Sequence, residues 1–381
     1  METQIYGTFG PACKSQEILE EMIKYGMTGM RLNLSHTTLE NSKEYIQNYK
    51  VAAQKHGVKP QILIDMQGPE LRVGDMEEIY LKEGMMVEFC KIRNADSSEN
   101  KEETILCEPP KGKDAFEEQN KEHYEIERNC EVVKIPVPTE VMSVIKPGME
   151  VLLDDGKIRV QIEESRKEAV LVKVLAGGIL KPHKSIKIVD VNVEMPVLTE
   201  HDIRNLRKAK AYGVTALMQP FVFSGEDLKK VKAVLEKEKI ENVQIFAKIE
   251  NRIGVENLEN ILPEADMIVI ARGDLGNDMP LWELPAVQKK IEAACKKYGK
   301  PYMVVTQMLA SMEHNPIPTR AEVSDIFHAV YHGASAVMVT GETAVGKYPV
   351  EVIKYLVHTA QEAFFYKNSE EFRRIEQDWK R

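Results

Sequence analysis

The sequence predicts an α/β fold, a (β/α)8 TIM barrel with an inserted all-β domain after strand 3. Three observations predict it. Short apolar runs alternate with helical patterns eight times along the chain. That rhythm breaks once, after the third run, where residues 70–187 turn to short alternating segments and charged loops. Charged side chains also collect just past the apolar runs, at the strand ends where a parallel barrel places its chemistry.

The elements follow in order. Gln4–Thr8 is the first strand, and Ser15–Tyr25 reads as a helix. Thr28–Leu34 is the second strand, with a helix from Thr38 to His56, and Gln61–Asp65 is the third. Within the insertion, Met86–Phe89 and Lys157–Ile162 alternate like half-buried strands. Pro147-Gly148 and Asp155-Gly156 mark turns, and Arg93–Asn120 reads as a polar loop. A helix then covers Thr199–Ala211, and Val214–Met218 is strand four. Helices after Ser224 and Asn251 flank strand five, Val243–Lys248, and strand six is Asp266–Ala271. Glu283–Tyr298 is helical, Tyr302–Thr306 is strand seven, and Thr319–Gly333 is helical. Ala336–Thr340 is strand eight and Pro349–Tyr366 the last helix, with a charged tail from Asn368 that reads as a frayed helix. These assignments put the barrel at 1–69 and 188–381 and the insertion at 70–187. A doubly wound open sheet is the competing arrangement, but no GxGxxG follows the first strand.

Composition narrows the function. The chain is 43% hydrophobic with a formal net charge of -9 and no long basic run, which argues against nucleic acid or an anionic membrane as partner. No run of about 18 apolar residues is available to span a bilayer. The N-terminus is too polar for a signal peptide. The five cysteines are odd in number and form no CxxC pair, which points to reduced thiols and a cytoplasmic protein.

The strand ends carry the candidate site. Strand two delivers Arg31, Asn33 and Ser35, strand three Asp65, and strand five Lys248 and Glu250. Strand six delivers Arg272 and Asp274, strand seven Thr306, and strand eight Thr340 and Glu342. A barrel strand is buried on both faces, so charge there is costly. One such charge could be a structural ion pair, but charges at the same end of five strands indicate a shared site. Glu250 and Asp274 are hard oxygen ligands suited to Mg2+, with substrate oxygens completing the shell. Lys248 shares a face with Glu250 if the strand continues, and can stabilise an enolate or a transferring phosphoryl group. Arg31 and Arg72 can clamp phosphate. Asn33, Ser35 and Asp65 could share a monovalent cation, and Gly273 lets backbone approach a ligand closely.

Gly10-Pro11, Arg31-Leu32-Asn33-Leu34-Ser35-His36, Gly68-Pro69-Glu70-Leu71-Arg72 and Lys248-Ile249-Glu250-Asn251 resemble the pyruvate kinase family. So do Ala271-Arg272-Gly273-Asp274-Leu275-Gly276, Thr306-Gln307-Met308-Leu309, Pro318-Thr319-Arg320-Ala321-Glu322 and Gly341-Glu342-Thr343-Ala344. The resemblance covers nearly the whole chain, and the family inserts its lid domain after barrel strand three. It implies phosphoryl transfer from phosphoenolpyruvate to ADP, giving pyruvate and ATP in glycolysis. It implies Mg2+ on Glu250 and Asp274, and substrate carboxylate on the backbone of Gly273 and Asp274. Lys248 would stabilise the phosphoryl group and the enolate, with Thr306 at the protonation face and Arg31 at the phosphoryl group. K+ would sit on Asn33, Ser35, Asp65 and the carbonyl of Met66, and Glu70 marks the K+-dependent branch. Arg72 and Lys184 would reach the nucleotide phosphates near Pro11, Asn33 and His36, and the insertion would close as a lid.

Departures fall on the nucleotide side. The family's Asp-Thr-Lys-Gly-Pro-Glu reads Asp65-Met66-Gln67-Gly68-Pro69-Glu70 here, and its Ser-Phe-Val-Arg reads Pro220-Phe221-Val222-Phe223. Val345 stands where the family carries Lys, Lys184-Ser185-Ile186-Lys187 replaces Lys-Gly-Val-Asn at the lid hinge, and Ile253 replaces Glu. The family's C-terminal regulatory domain is expected to be absent, and barrel–barrel contacts could still form a homodimer. Other enolate chemistry, or a non-catalytic relative, are the competing readings.

Overall fold

The computed structural model describes residues 3–92, 133–154, 156–166, 169–189, 191, 193 and 195–369. The loop expected at Arg93–Asn120, Cys107, Cys130 and most of the tail lie outside them. The chain divides into two compact units, Met1–Pro69 with Pro196–Arg381, and Glu70–Met195. The second boundary falls after Met195 rather than after Lys187. Ile186–Ile188 pairs with Glu150–Leu153, and Val191 and Val193 pack on the smaller unit's core, so this stretch still belongs to the insertion.

The larger unit is a closed parallel barrel. Its strands are β1 Gln4–Thr8, β2 Gly29–Asn33, β3 Gln61–Asp65 and β4 Ala216–Gln219. They continue as β5 Gln244–Ile249, β6 Met267–Ala271, β7 Tyr302–Val305 and β8 Ala336–Met338. Each pairs with its sequence neighbours, and β8 closes on β1 through Ile5 and Val337. The chain-order pairing rules out the open doubly wound sheet.

Strand periodicity decides what each side chain meets. Tyr6, Leu63, Met218, Phe246, Val269 and Met303 fill the barrel interior as one cluster. Their neighbours Ile5, Ile64, Leu217, Ile245, Ile268 and Val304 face the other way, into the layer shared with the helices. Two steps beyond interior positions, the same register brings up Thr8, Arg31, Asp65 and Lys248. The top of the barrel is therefore lined by polar groups without any break in alternation.

The helices show ordinary start and stop chemistry. Ser15 caps Gln16–Lys24 by accepting the Ile18 N–H, and Leu19, Met22 and Ile23 form its buried stripe. Thr319 and Glu322 form a capping box for Arg320–His332, which stops at Gly333 with φ 109°. Two expected helices are shorter. The second begins at Lys43 rather than Thr38, because the Thr38 hydroxyl accepts the Asn41 N–H and holds a local turn. The Thr199–Ala211 helix breaks into Glu200–Leu206 and Ala209–Tyr212, ending at Gly213 with φ 70°.

The smaller unit holds a six-stranded sheet and a two-stranded ribbon. The described strands of this unit do not close into a barrel of their own. Val170, Val172 and Val174 alternate inward from Ala169–Ala176 and pack with Val87, Phe89, Val151 and Val160 as a core of its own.

Candidate active site

The rim at the C-terminal ends of β2, β3 and β5 gathers two bases and two acids. Asp65 ends β3 directly beside Asn33, its register partner on β2. Arg31 donates to Asp65 Oδ2 through Nε at 2.9 Å and Nη2 at 2.5 Å. Lys248 Nζ lies 2.5 Å from Glu250 Oε1 and 3.6 Å from Asp65 Oδ1. Glu250 follows the end of β5, and its Oε2 accepts the Phe221 N–H at 2.8 Å. Phe221 has φ 52°, so the loop after β4 is bent to present that N–H.

Burial governs the electrostatics. Desolvation pushes Lys248 toward the neutral form, but Asp65, Glu250 and Asp274 outweigh it and raise its pKa, so the ammonium is held charged. Glu250 is raised in turn, chiefly by burial, with Asp274 adding to the rise and Lys248 opposing it.

Asp274 lies in the first turn of the helix Arg272–Asp278, which starts as soon as β6 ends, and its side chain is exposed. Gly273 and Asp274 therefore belong to a helix N-terminus rather than to the strand. Their N–H groups have no acceptor within that helix. Thr306 is half-buried and follows β7 with φ 77°, and Gln307 has φ 55°. A β-branched residue there costs about 1–3 kcal/mol and needs surroundings that enforce it. Gly273 presses on this turn: a Cβ at 273 would lie 2.9 Å from Thr306 Cγ2.

The remaining expected residues are placed as follows. Asn33 is half-buried and its Oδ1 accepts the Ser35 N–H at 3.1 Å. Met66 is buried, its N–H donating to the Met218 carbonyl at 3.1 Å. His36 and Pro11 are exposed. Gly10, beside Pro11, packs so closely on the Ala344 carbonyl that a Cβ would sit 2.2 Å from it. Arg72 and Lys184 belong to the smaller unit and are held within it. Arg72 pairs with Glu70 at 2.5 Å, and Lys184 pairs with Asp154 at 2.8 Å. Glu342 is not on the rim surface. It is buried, accepting the N–H groups of Leu309 and Thr340, and fastens the loop after β7 to the turn after β8.

Three positioning elements escaped the sequence reading. Asp202 is fully buried and accepts from Gln67 N–H, Gly68 N–H, Thr199 N–H and Thr199 Oγ1 at 2.7–3.1 Å. It pins the turn that follows Asp65 and Met66, where Gly68 has φ 64°. The spacing Thr199-x-x-Asp202 is a capping-box signal that could have marked it. The Phe221 N–H had no signal at all, and neither did Arg272 as a donor to the loop after β7.

The residues present suit two kinds of ion. Glu250 and Asp274 offer two hard carboxylates at neighbouring strand ends. Among the described residues no three His, Cys, Asp or Glu side chains converge on one point, so a divalent ion there needs oxygens from a bound molecule to complete its shell. Asp65 Oδ1 is buried and accepts no hydrogen bond, which suits a monovalent cation beside Asn33.

Fold and rim together define a (β/α)8-barrel protein with an inserted β unit and a cluster of paired charges at the C-terminal ends of its strands. A family model described as pyruvate kinase, barrel domain, matches residues 1–114 and 90–353, and the chain belongs to that family. It is 36% identical over 357 residues to a pyruvate kinase of Geobacillus stearothermophilus, covering 93% of this chain and 55% of that protein. The match to the Staphylococcus haemolyticus enzyme is 35%, covering 95% and 57%, and to the Chlamydia trachomatis enzyme 34%, covering 94% and 68%. The chain thus spans little more than half the length of the first two relatives. No helix among the described residues is long and apolar enough to cross a membrane.

Proposed function

We propose that this barrel transfers the phosphoryl group of phosphoenolpyruvate to ADP, giving pyruvate and ATP. The observation that carries the reading is Lys248, half-buried and held as an ammonium between Asp65 and Glu250, with Asp274 adding to its charge stabilisation. A cation fixed among carboxylates at the rim is suited to charge that moves from the phosphate ester onto an enolate oxygen.

Each residue then has a part. The Gly273 and Asp274 N–H groups take the substrate carboxylate. Arg31, oriented by its fork on Asp65, faces the phosphoryl group. An ADP phosphate oxygen attacks phosphorus as the ester P–O bond breaks, and the electron pair stays on the enolate. Lys248 balances that charge throughout. Thr306 stands at the face where the enolate carbon takes its proton through water. Glu250 and Asp274 would hold Mg2+, which supplies further charge stabilisation at the enolate and phosphoryl oxygens. Asn33, Ser35, Asp65 and the Met66 carbonyl would hold K+.

A steady-state assay with phosphoenolpyruvate, ADP, Mg2+ and K+ tests this. Turnover lost in a folded Lys248→Met variant is expected. A wild-type rate no higher than that control overturns the reading. The exposed side chain of Val345, in place of the family's lysine, favours a second reading in which the enolate chemistry persists with another phosphoryl acceptor. Pyruvate proton exchange without ADP-dependent ATP formation would select it.

A further inference from the structure

We propose that Arg272 is a positioning residue that sets Thr306 for the enolate step, an inference resting on the function proposed above. Its Nη2 donates to the Thr306 carbonyl at 2.7 Å, and its Nε donates to the Val305 carbonyl at 3.3 Å. Nη2 also reaches Met308 Sδ at 2.9 Å. Nη1 lies 2.8 Å from Asp325 Oδ1 and 2.7 Å from Oδ2. One planar group thus binds two successive carbonyls at the end of β7 and anchors on the helix Arg320–His332.

The turn it holds is strained. Thr306 and Gln307 both lie in the left-handed region, at φ 77° and 55°. Such conformations persist only where the surroundings over-determine them, and the fork on carbonyls 305 and 306 is one of the contacts on this turn. Arg272 also opens the helix that carries Gly273 and Asp274. The same residue therefore ties the carboxylate-binding turn and the Thr306 turn to one anchor. With no Cβ at Gly273, the two can sit in contact. Lysine can replace this only in part, because a single ammonium keeps the charge near Asp325 but lacks the fixed planar fork that reaches both carbonyls. Without the fork, the 306–307 turn relaxes and the hydroxyl at 306 moves relative to Asp274.

The test compares Arg272→Leu, Arg272→Lys and Asp325→Ala in the full chain. For Arg272→Leu, kcat should fall roughly 10- to 100-fold while KM for phosphoenolpyruvate changes by less than about threefold. Arg272→Lys should recover part of the loss, and Asp325→Ala should fall between. Crystal structures should show φ at Thr306 leaving the positive region in Arg272→Leu. An unchanged kcat with Thr306 still at positive φ overturns the proposal. So does a parallel loss of Mg2+ affinity, phosphoenolpyruvate affinity and melting temperature, which would make Arg272 a structural residue only. If wild type has no turnover, the functional reading fails by itself, and the paired crystal structures still decide whether Arg272 holds Thr306.

Discussion

Lys248 Nζ lies 2.5 Å from Glu250 Oε1, and the two residues sit two positions apart where β5 ends, Lys248 within the strand and Glu250 just past it. A strand carries such neighbours only where its interior face has reached the rim. Lower in the barrel the same face is Phe246. Glu250 is 4% exposed and Lys248 is half-buried, so the balance of charge between them bears on stability.

Replacing Lys248 with Met should leave Asp65 and Glu250 without their shared cation. Removing one partner of a buried pair costs about 3–5 kcal/mol. The variant should melt lower than wild type without metal, and added Mg2+ should narrow the gap. Thermal melts of both proteins with and without Mg2+ check this. Equal melting temperatures in metal-free buffer would show the pair to be unimportant for stability.

The raised proton affinity of Glu250 makes metal-free stability depend on pH. Its folded pKa lies above the unfolded carboxylate value of about 4.3. The stabilisation is therefore fully present below that unfolded value and is lost as pH rises through the folded one. Lys248 is shifted in the same direction, but its loss comes only under alkaline conditions. Melts from acid to neutral pH should show this decline in wild type and a flatter profile in Glu250→Gln. Mg2+ affinity should weaken as pH falls over the same window, since protons compete for Glu250.

Asp65 serves Arg31 and Lys248 at once, with Oδ1 free of hydrogen bonds. Asp65→Asn keeps the shape but removes the charge. Activity should drop at least about tenfold, and the K+ concentration for half-activation should rise. Rates across a KCl series at constant ionic strength report both. An unchanged K+ response would remove Asp65 from the proposed cation site.

Gly273→Ala should push directly on Thr306, because the new Cβ would fall 2.9 Å from Cγ2. The fold should survive, since the contact lies at the rim and not in the core. We expect kcat to fall roughly tenfold with little change in melting temperature. A fully active Gly273→Ala enzyme would mean that the two turns are not held against each other.

Asp202→Asn should be among the most destabilising single changes outside the core. Four donors converge on its carboxylate, and an amide places an N–H where one must accept. The cost should be about 1–3 kcal/mol from a buried donor left unsatisfied. Chemical denaturation measures it, and a loss under about 0.5 kcal/mol, the range of an ordinary surface change, would show that the turn after β3 is held some other way.

Periodicity and polarity along the chain determined the strands, the inserted β segment and the residues at the strand ends. Alternation reports which face of a strand is buried, and a charge interrupting an apolar run stands out without any partner being known. Pairings were another matter. Sequence placed Arg31 and Asp65 at neighbouring strand ends, but the closed barrel's register joined them as a fork and brought Lys248 to the same carboxylate. The family resemblance implies that Arg72 and Lys184 reach the nucleotide phosphates, and the structure shows only their pairing with Glu70 and Asp154 within the smaller unit. The left-handed turns at Thr306 and Phe221, and the donors that enforce or use them, were likewise decided by tertiary structure. Strain at one residue depends on contacts from segments distant in sequence, and only closure of the barrel brings those segments together.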